Sequence, residues 1–407
     1  MVPSDWERKP IKDLCESIID CVNKTAKHVE NVTPFKMIRT TNVRNGRVDT
    51  SNVRYVEEDT YKQWIRRGAP KDGDIIFTRE APVGEAGILE NAQGIFLGQR
   101  TMMYRSHPEK SDNRYLFYSL MSGYCQKQIE DFSNGGTVAH MRVPDCGELI
   151  INTPPLPEQR KIAKILSTWD KSIATTENLI ETSKQQKKAL MQQLLTGKKR
   201  LVNPETGKAF EGEWESQPIS KLITESRIAG TNGELARKLT VKLYGRGVTQ
   251  KEEKRLGSSS TKYYKRKSGQ FIYSKLDFLN GAFGIIPEHL DGFESTLDLP
   301  AFDFSEAVEP KWFIEFVSRD DFYTSNLGLA NGGRKARRVN PKDLLQIKVQ
   351  VPTLKEQKKI ASVLTAADKE TEVLEAKLAH FKQEKKALMQ QLLTGKRRVK
   401  VEEMEVA

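Results

Sequence analysis

The chain has 407 residues, 37% hydrophobic and 29% charged, which is enough for two or three domains with ordinary cores and too apolar for disorder to be the default. Its 66 Lys+Arg against 54 Asp+Glu leave a formal charge of +12, the footprint of a polyanion binder, although a merely basic soluble protein has the same balance. No apolar run reaches about 18 residues and the opening MVPSDWERKP lacks an apolar core, so membrane spanning and export are not supported and a cytoplasmic location is expected.

Along the first 152 residues the pattern is mixed. Arg39, Thr41, Asn42 and Arg44 lie in a polar run read as a loop. DIIFTR (74–79), ending at Arg79, and GIFLGQRTMMYRS (94–106), containing Arg100 and Thr101, read as strands. Phe117, Leu120, Met121, Tyr124, Ile129 and Phe132 share one helical face, followed by a glycine loop whose flank carries Thr137, His140 and Arg142. Cys15, Cys21, Cys125 and Cys146 form no C-x-x-C pair and the five histidines are scattered, so the thiols read as reduced and no metal site is expected.

Residues 153–200 change character. After PPLPEQRKIAKIL (154–166), apolar positions alternate steps of four and three through Ile162, Leu166, Trp169, Ile173, Thr176, Ile180, Ser183, Lys187, Leu190 and Leu194, the stripe of a coiled-coil seam. Pro157 suits a first turn and Gly197 a stop, giving a helix of about 39 residues, or roughly 58 Å at ~1.5 Å per residue.

Residues 201–350 again read as mixed strand and helix, with QFIYSKL (270–276) a strand and Trp312, Phe313, Phe316 and Val317 one helix face. Their cationic and hydrogen-bonding runs contain Tyr244 and Arg246, then Lys262, then Arg334, Lys335, Arg337 and Arg338 after a second glycine loop. Four cations within five residues repel one another unless they meet a polyanion. Guanidinium and amide groups suit base edges, and lysines and hydroxyls suit phosphates, though each of these residues is also compatible with solvated surface.

Residues 351–400 repeat 153–200, before a tail at 401–407. KKALMQQLLTGK at 187–198 recurs unchanged at 385–396, and PTLKEQKKIASVL (352–364) aligns with 154–166 without a gap. The seam recurs as Ile360, Leu364, Ala367, Thr371, Leu374, Leu378, Phe381, Lys385, Leu388 and Leu392, and Leu374 and Phe381 stand where the first copy has Thr176 and Ser183. Thr353 with Glu356 forms a capping box, and Gly395 ends the helix. Two amphipathic helices packed each on its own domain would also give these stripes. Paired antiparallel, the helices would hold two α+β domains apart about an approximate two-fold axis.

Catalytic signatures are missing or broken. There is no G-x-x-x-x-G-K-[ST] loop. NTPPLP (152–157) departs from the Asn-Pro-Pro-aromatic motif of amino-methyltransferases by an inserted Thr153 and by Leu156 at the aromatic position. Asp145, Glu158 and Arg160 lack the lysine of a metal-dependent nuclease.

A variable domain followed by L-P-E-Q-x-x-I-A-x-x-L, with lysine for the proline in the second copy, and a long helix ending in KKALMQQLLTGK, all in duplicate, resembles the specificity subunit of type I restriction-modification systems. The resemblance implies two target-recognition domains reading the halves of a bipartite, asymmetric site in double-stranded DNA. It also implies an antiparallel coiled coil docking two adenine-methylating modification subunits, joined by restriction subunits with ATP-dependent translocation and endonuclease activities. The chain itself would hold no cofactor, since S-adenosylmethionine, ATP and magnesium would belong to those partners. The second connector departs at Thr353-Leu354-Lys355, where the first has Pro-Leu-Pro, so its helix start is expected to differ. A protein-binding adaptor and an enzyme with an unrecognised site are the competing readings. A methylation-only system has the same sequence features.

Overall fold

The structure, a computed structural model, describes residues 2–133, 139–252, 257–325 and 338–401. It is mixed helix and sheet and divides into two compact units, Met1–Glu177 with Ala376–Ala407, and Asn178–Glu375. Both boundaries fall inside the long helices, Leu156–Leu194 and Leu354–Leu392, so each unit holds the start of one and the end of the other. Each helix has 39 residues, and they start at equivalent positions despite the different residues preceding them.

In the first unit the six-stranded sheet runs Cys15–Asp20, Thr101–Ser106, Ile75–Arg79, Val83–Ile88, Arg47–Val48, Val43–Arg44. Ile75, Ile76 and Phe77 are wholly buried, as a continuous apolar run in a strand covered on both faces requires. The expected strand over 94–106 is two strands: Ile95–Leu97 pairs in parallel with Lys36–Ile38 in a separate sheet. Arg100, at φ +69°, turns the chain between them. The expected helix over 117–132 is likewise two, Asn113–Leu120 and Gly123–Ser133; the break turns Tyr124 and Phe132 outward, while Phe117, Leu120 and Ile129 stay in the core.

In the second unit Phe271–Tyr273 lies between Ala301–Phe304 and Phe283–Ile285. The helix Pro310–Val317, with proline in its first turn, buries Trp312, Phe313, Phe316 and Val317 against this sheet. A two-stranded ribbon recurs in both units, Glu7–Pro10 with Ile150–Thr153 and Glu215–Pro218 with Lys348–Val351, and leads each domain into its long helix.

The duplicated Glu-Gln has a concrete role. Buried Glu158 accepts from Trp6 Nε1 at 3.2 Å and from Arg398 at 2.8 Å; buried Glu356 accepts from Trp214 Nε1 at 3.2 Å and from Arg200 at 2.6 Å. The neighbouring Gln159 accepts from the Asp112 amide and donates to Pro154 O, and Gln357 accepts from the Glu309 amide and donates to Pro352 O. Gly197 and Gly395, both left-handed, end the helices beside Trp214 and Trp6 respectively. Only half of the expected capping box forms: the Glu356 amide donates to Thr353 Oγ1 at 3.4 Å, and the Glu356 carboxylate turns to Arg200 and Trp214 instead.

The seam positions pack within the units. In the first, Ile162, Leu166, Ile173 and Leu392 are buried, Leu388 is half-buried, and Trp169 meets Phe381 edge to face with centroids 5.6 Å apart. Leu378 is half-buried. In the second, Ile180, Leu194, Ile360 and Leu364 are buried, Leu190 and Leu374 half-buried, and Ser183 Oγ lies 2.9 Å from Thr371 Oγ1. Lys385 pairs with Asp170 in the first unit and Lys187 with Asp368 in the second, the same two repeat positions used twice.

Candidate nucleic-acid interface

In the first unit, parallel pairing of Ile38 with Leu97 sets the loops that follow both strands side by side, joined by Gly98 N donating to Ile38 O at 2.7 Å. Arg79 N donates to Arg100 O, and Met141 N to Arg79 O, which brings the segment around His140 to the same end. Arg39, Arg100 and His140 are thus gathered from three stretches of sequence. Glu80, which sequence reading missed, lies between two of them, 2.9 Å from Arg100 and 3.5 Å from His140 Nδ1. Arg39 is half-buried with its Nε unpartnered, and burial, then the charge of Arg54, hold its guanidinium below its usual range.

Three expected contact residues are internal. Thr101 is wholly buried and donates to Gly98 O. Asn42 is buried, accepts from the Arg39 amide and donates to Asp49 O and Asn52 O, holding the 39–52 loop closed. Arg79 is buried against Asp20 and Met141 O. Enclosed in this way, their side chains shape the loops that carry Arg39, Thr41 and Arg100. Sequence composition gives no signal for this, because Asp20 lies 59 residues from the arginine it neutralises.

Thr41 is exposed. Arg142 is exposed at its head and doubly bonded to Asp145 of the short helix Val143–Gly147, which it precedes. Arg44 donates to Thr40 O and Val43 O and lines a cleft of about 1050 Å³ with Arg47, Arg114, Lys171 and Lys382, none of which sequence reading singled out.

In the second unit Tyr244 and Arg246 are exposed on the turn between Leu239–Val241 and Val248–Gln250. Lys262 is exposed at the start of Lys262–Lys265, and Arg338 pairs with Asp298 at 3.3 Å. Thr137, Arg334, Lys335 and Arg337 lie outside the described residues.

Among the described residues, no group of three His, Cys, Asp or Glu is arranged to hold a metal ion, and no helix is long and apolar enough to cross a membrane. The four cysteines are free, and burial pushes the Cys15, Cys125 and Cys146 thiols up to about 12, which keeps them protonated and unreactive.

The type I restriction modification DNA specificity domain family matches residues 3–185 and 322–383, more than half of the chain. A putative type I restriction enzyme specificity subunit, MjaX, of Methanocaldococcus jannaschii is 27% identical over 98% of this chain and 95% of its own. The MjaVIII specificity subunit of the same organism is 27% identical over 83% of this chain and 85% of its own. Among solved structures, a chain from a study of complex assembly and conformational transition of the type I R-M system aligns with a TM-score of 0.60 at 15% identity, covering 98% of this chain and all of that one. The S subunit of the M. genitalium system aligns at 0.56 with 17% identity, covering 96% of each chain, and the HsdS subunit of Thermoanaerobacter tengcongensis at 0.51 with 16%, covering 97% and 98%. The chain therefore belongs to the type I restriction-modification DNA specificity family and is the specificity subunit of such a system, the part that recognises DNA sequence.

Proposed function

We propose that this subunit reads a bipartite, asymmetric DNA site, one half through residues 1–152 and the other through residues 201–350. The connectors 153–200 and 351–400 form an antiparallel coiled coil that holds the two readers apart. The observation that carries this reading is the reciprocal use of repeat positions: Lys187 to Asp368 and Lys385 to Asp170, Arg200 to Glu356 and Arg398 to Glu158. Equivalent helices laid antiparallel make each such contact twice, whereas helices packed only on their own domains have no reason to.

In the first domain Arg39, Thr41, Arg100, His140 and Arg142 contact DNA, with Arg44 on the neighbouring cleft and Thr137 in the adjoining segment. In the second, Tyr244, Arg246, Lys262, Arg334, Lys335, Arg337 and Arg338 do so. The chain scaffolds two modification subunits and the restriction subunits and performs no chemistry itself. Methyl transfer to adenine with S-adenosylmethionine, and ATP- and magnesium-dependent translocation and cleavage, belong to those partners in the cytoplasm.

Expressing the chain with its modification subunits in a methylation-free host and mapping methylated adenines genome-wide tests this. A two-part motif with a fixed spacer is expected; a single uninterrupted motif contradicts it.

A further inference from the structure

Among the described residues four non-glycines have positive φ: Asn45, Ala81, Arg100 and Tyr244. Asparagine tolerates that region, whereas a bulky tyrosine there is a genuine outlier that must be held by its surroundings. What holds Tyr244 is backbone. Its amide donates to Asn280 O, the Gly245 amide to Gly281 O, both at 2.9 Å, and Lys242 N to Gly247 O. Gly281 sits so close that a Cβ there would lie 3.2 Å from Tyr244 Cα and from Gly245 N. Yet Tyr244 is 74% exposed, beside exposed Leu243 and between exposed Lys242 and Arg246. The fold fixes the main chain of this turn and leaves its one aromatic side chain outside the core.

We propose that Tyr244 is a base-stacking residue of the second domain: its ring packs on an unstacked base in the half-site while Lys242 and Arg246 hold the flanking phosphates. This rests on the reading that residues 201–350 recognise a half-site. The flanking cations select a polyanion over an apolar partner, and a rigidly presented ring stacks at little cost in ordering. Core packing does not require the ring, because Tyr244 is exposed.

The test uses the chain assembled with its modification subunits, on duplexes in which 2-aminopurine replaces, one at a time, the adenines of the second half-site. At one position the wild-type complex changes the probe's fluorescence on binding. Tyr244→Asn tolerates the left-handed backbone but cannot stack; its thermal midpoint stays at or above wild type, its DNA affinity falls about tenfold or more, and the fluorescence change disappears. Tyr244→Phe restores both. A Tyr244→Asn complex with wild-type affinity and an unaltered probe signal overturns the proposal while leaving the functional reading intact. A wild-type complex that selects no sequence overturns the functional reading, whatever Tyr244 does.

Discussion

Arg398 and Glu158, 240 residues apart, form a two-pronged ion pair, Nε to Oε1 and Nη2 to Oε2, both at 2.8 Å. Glu158 is almost fully buried while the arginine head is nearly half exposed, so the pair matters chiefly for the carboxylate it neutralises. Arg398→Ala leaves Glu158 with Trp6 as its remaining hydrogen-bond donor and lowers stability by about 1–3 kcal/mol, measured as a shift in urea midpoint. Substituting exposed Lys171 shifts that midpoint far less.

Asn42 and Arg100 separate loop scaffolding from DNA contact. Asn42→Ala removes a buried amide that closes three backbone bonds and costs about 2 kcal/mol in thermal unfolding. Arg100→Ala leaves stability within about 0.5 kcal/mol and reduces the salt dependence of DNA binding by up to about 0.9 in slope if its head meets a phosphate. An unaltered slope and affinity in Arg100→Ala removes it from the interface.

Two carboxylates respond oppositely to acid. The hydrogen bond from Lys382, with Arg47 adding to it, holds the Glu177 carboxyl below its usual range, so its contribution is present at neutral pH and is lost as pH falls through the lowered value. Burial pushes the Glu315 carboxyl up despite Lys187 at 2.9 Å, and Lys187 stays protonated through Asp368 as well. The folded state therefore takes up a proton at Glu315 more readily than the unfolded chain, and stability is gained there as pH falls through the raised value. In acid titrations followed by circular dichroism, Glu177→Gln becomes less acid-sensitive than wild type and Glu315→Gln more so. The same direction of change in both contradicts these assignments.

What the sequence revealed and what it hid divide along physical lines. The presence and length of the long helices were legible because an identical repeat and a four-three seam are local patterns, and Gly197 and Gly395 follow their ends. The mixed class was legible for the same reason. The break at Ser122-Gly123 was not, since Tyr124 and Phe132 fit the period and only tertiary packing turns them outward. At the candidate interface, composition gave no sign of which arginines face water: Arg79 and Arg100 differ because Asp20 encloses one while Glu80 pairs with the other near the surface.

If the paired helices set the distance between half-sites, duplicating one heptad after Ile180 and after Leu378 keeps the seam in phase and adds about 10.5 Å. At ~3.4 Å per base pair that is close to three base pairs, with about 100° of added rotation. Methylation mapping of the variant shows either a longer spacer or a large loss of modification, with both half-site sequences unchanged. The original spacer methylated at the original level contradicts the ruler.

The most direct measurement of the central claim is a domain exchange read by methylation mapping. Residues 1–150 are replaced by the matching domain of a relative with a different target, and the chimera is expressed with the modification subunits. The account predicts that one half of the methylated motif changes to the relative's while the other half and the spacer persist. A motif altered in both halves, or in neither, contradicts it.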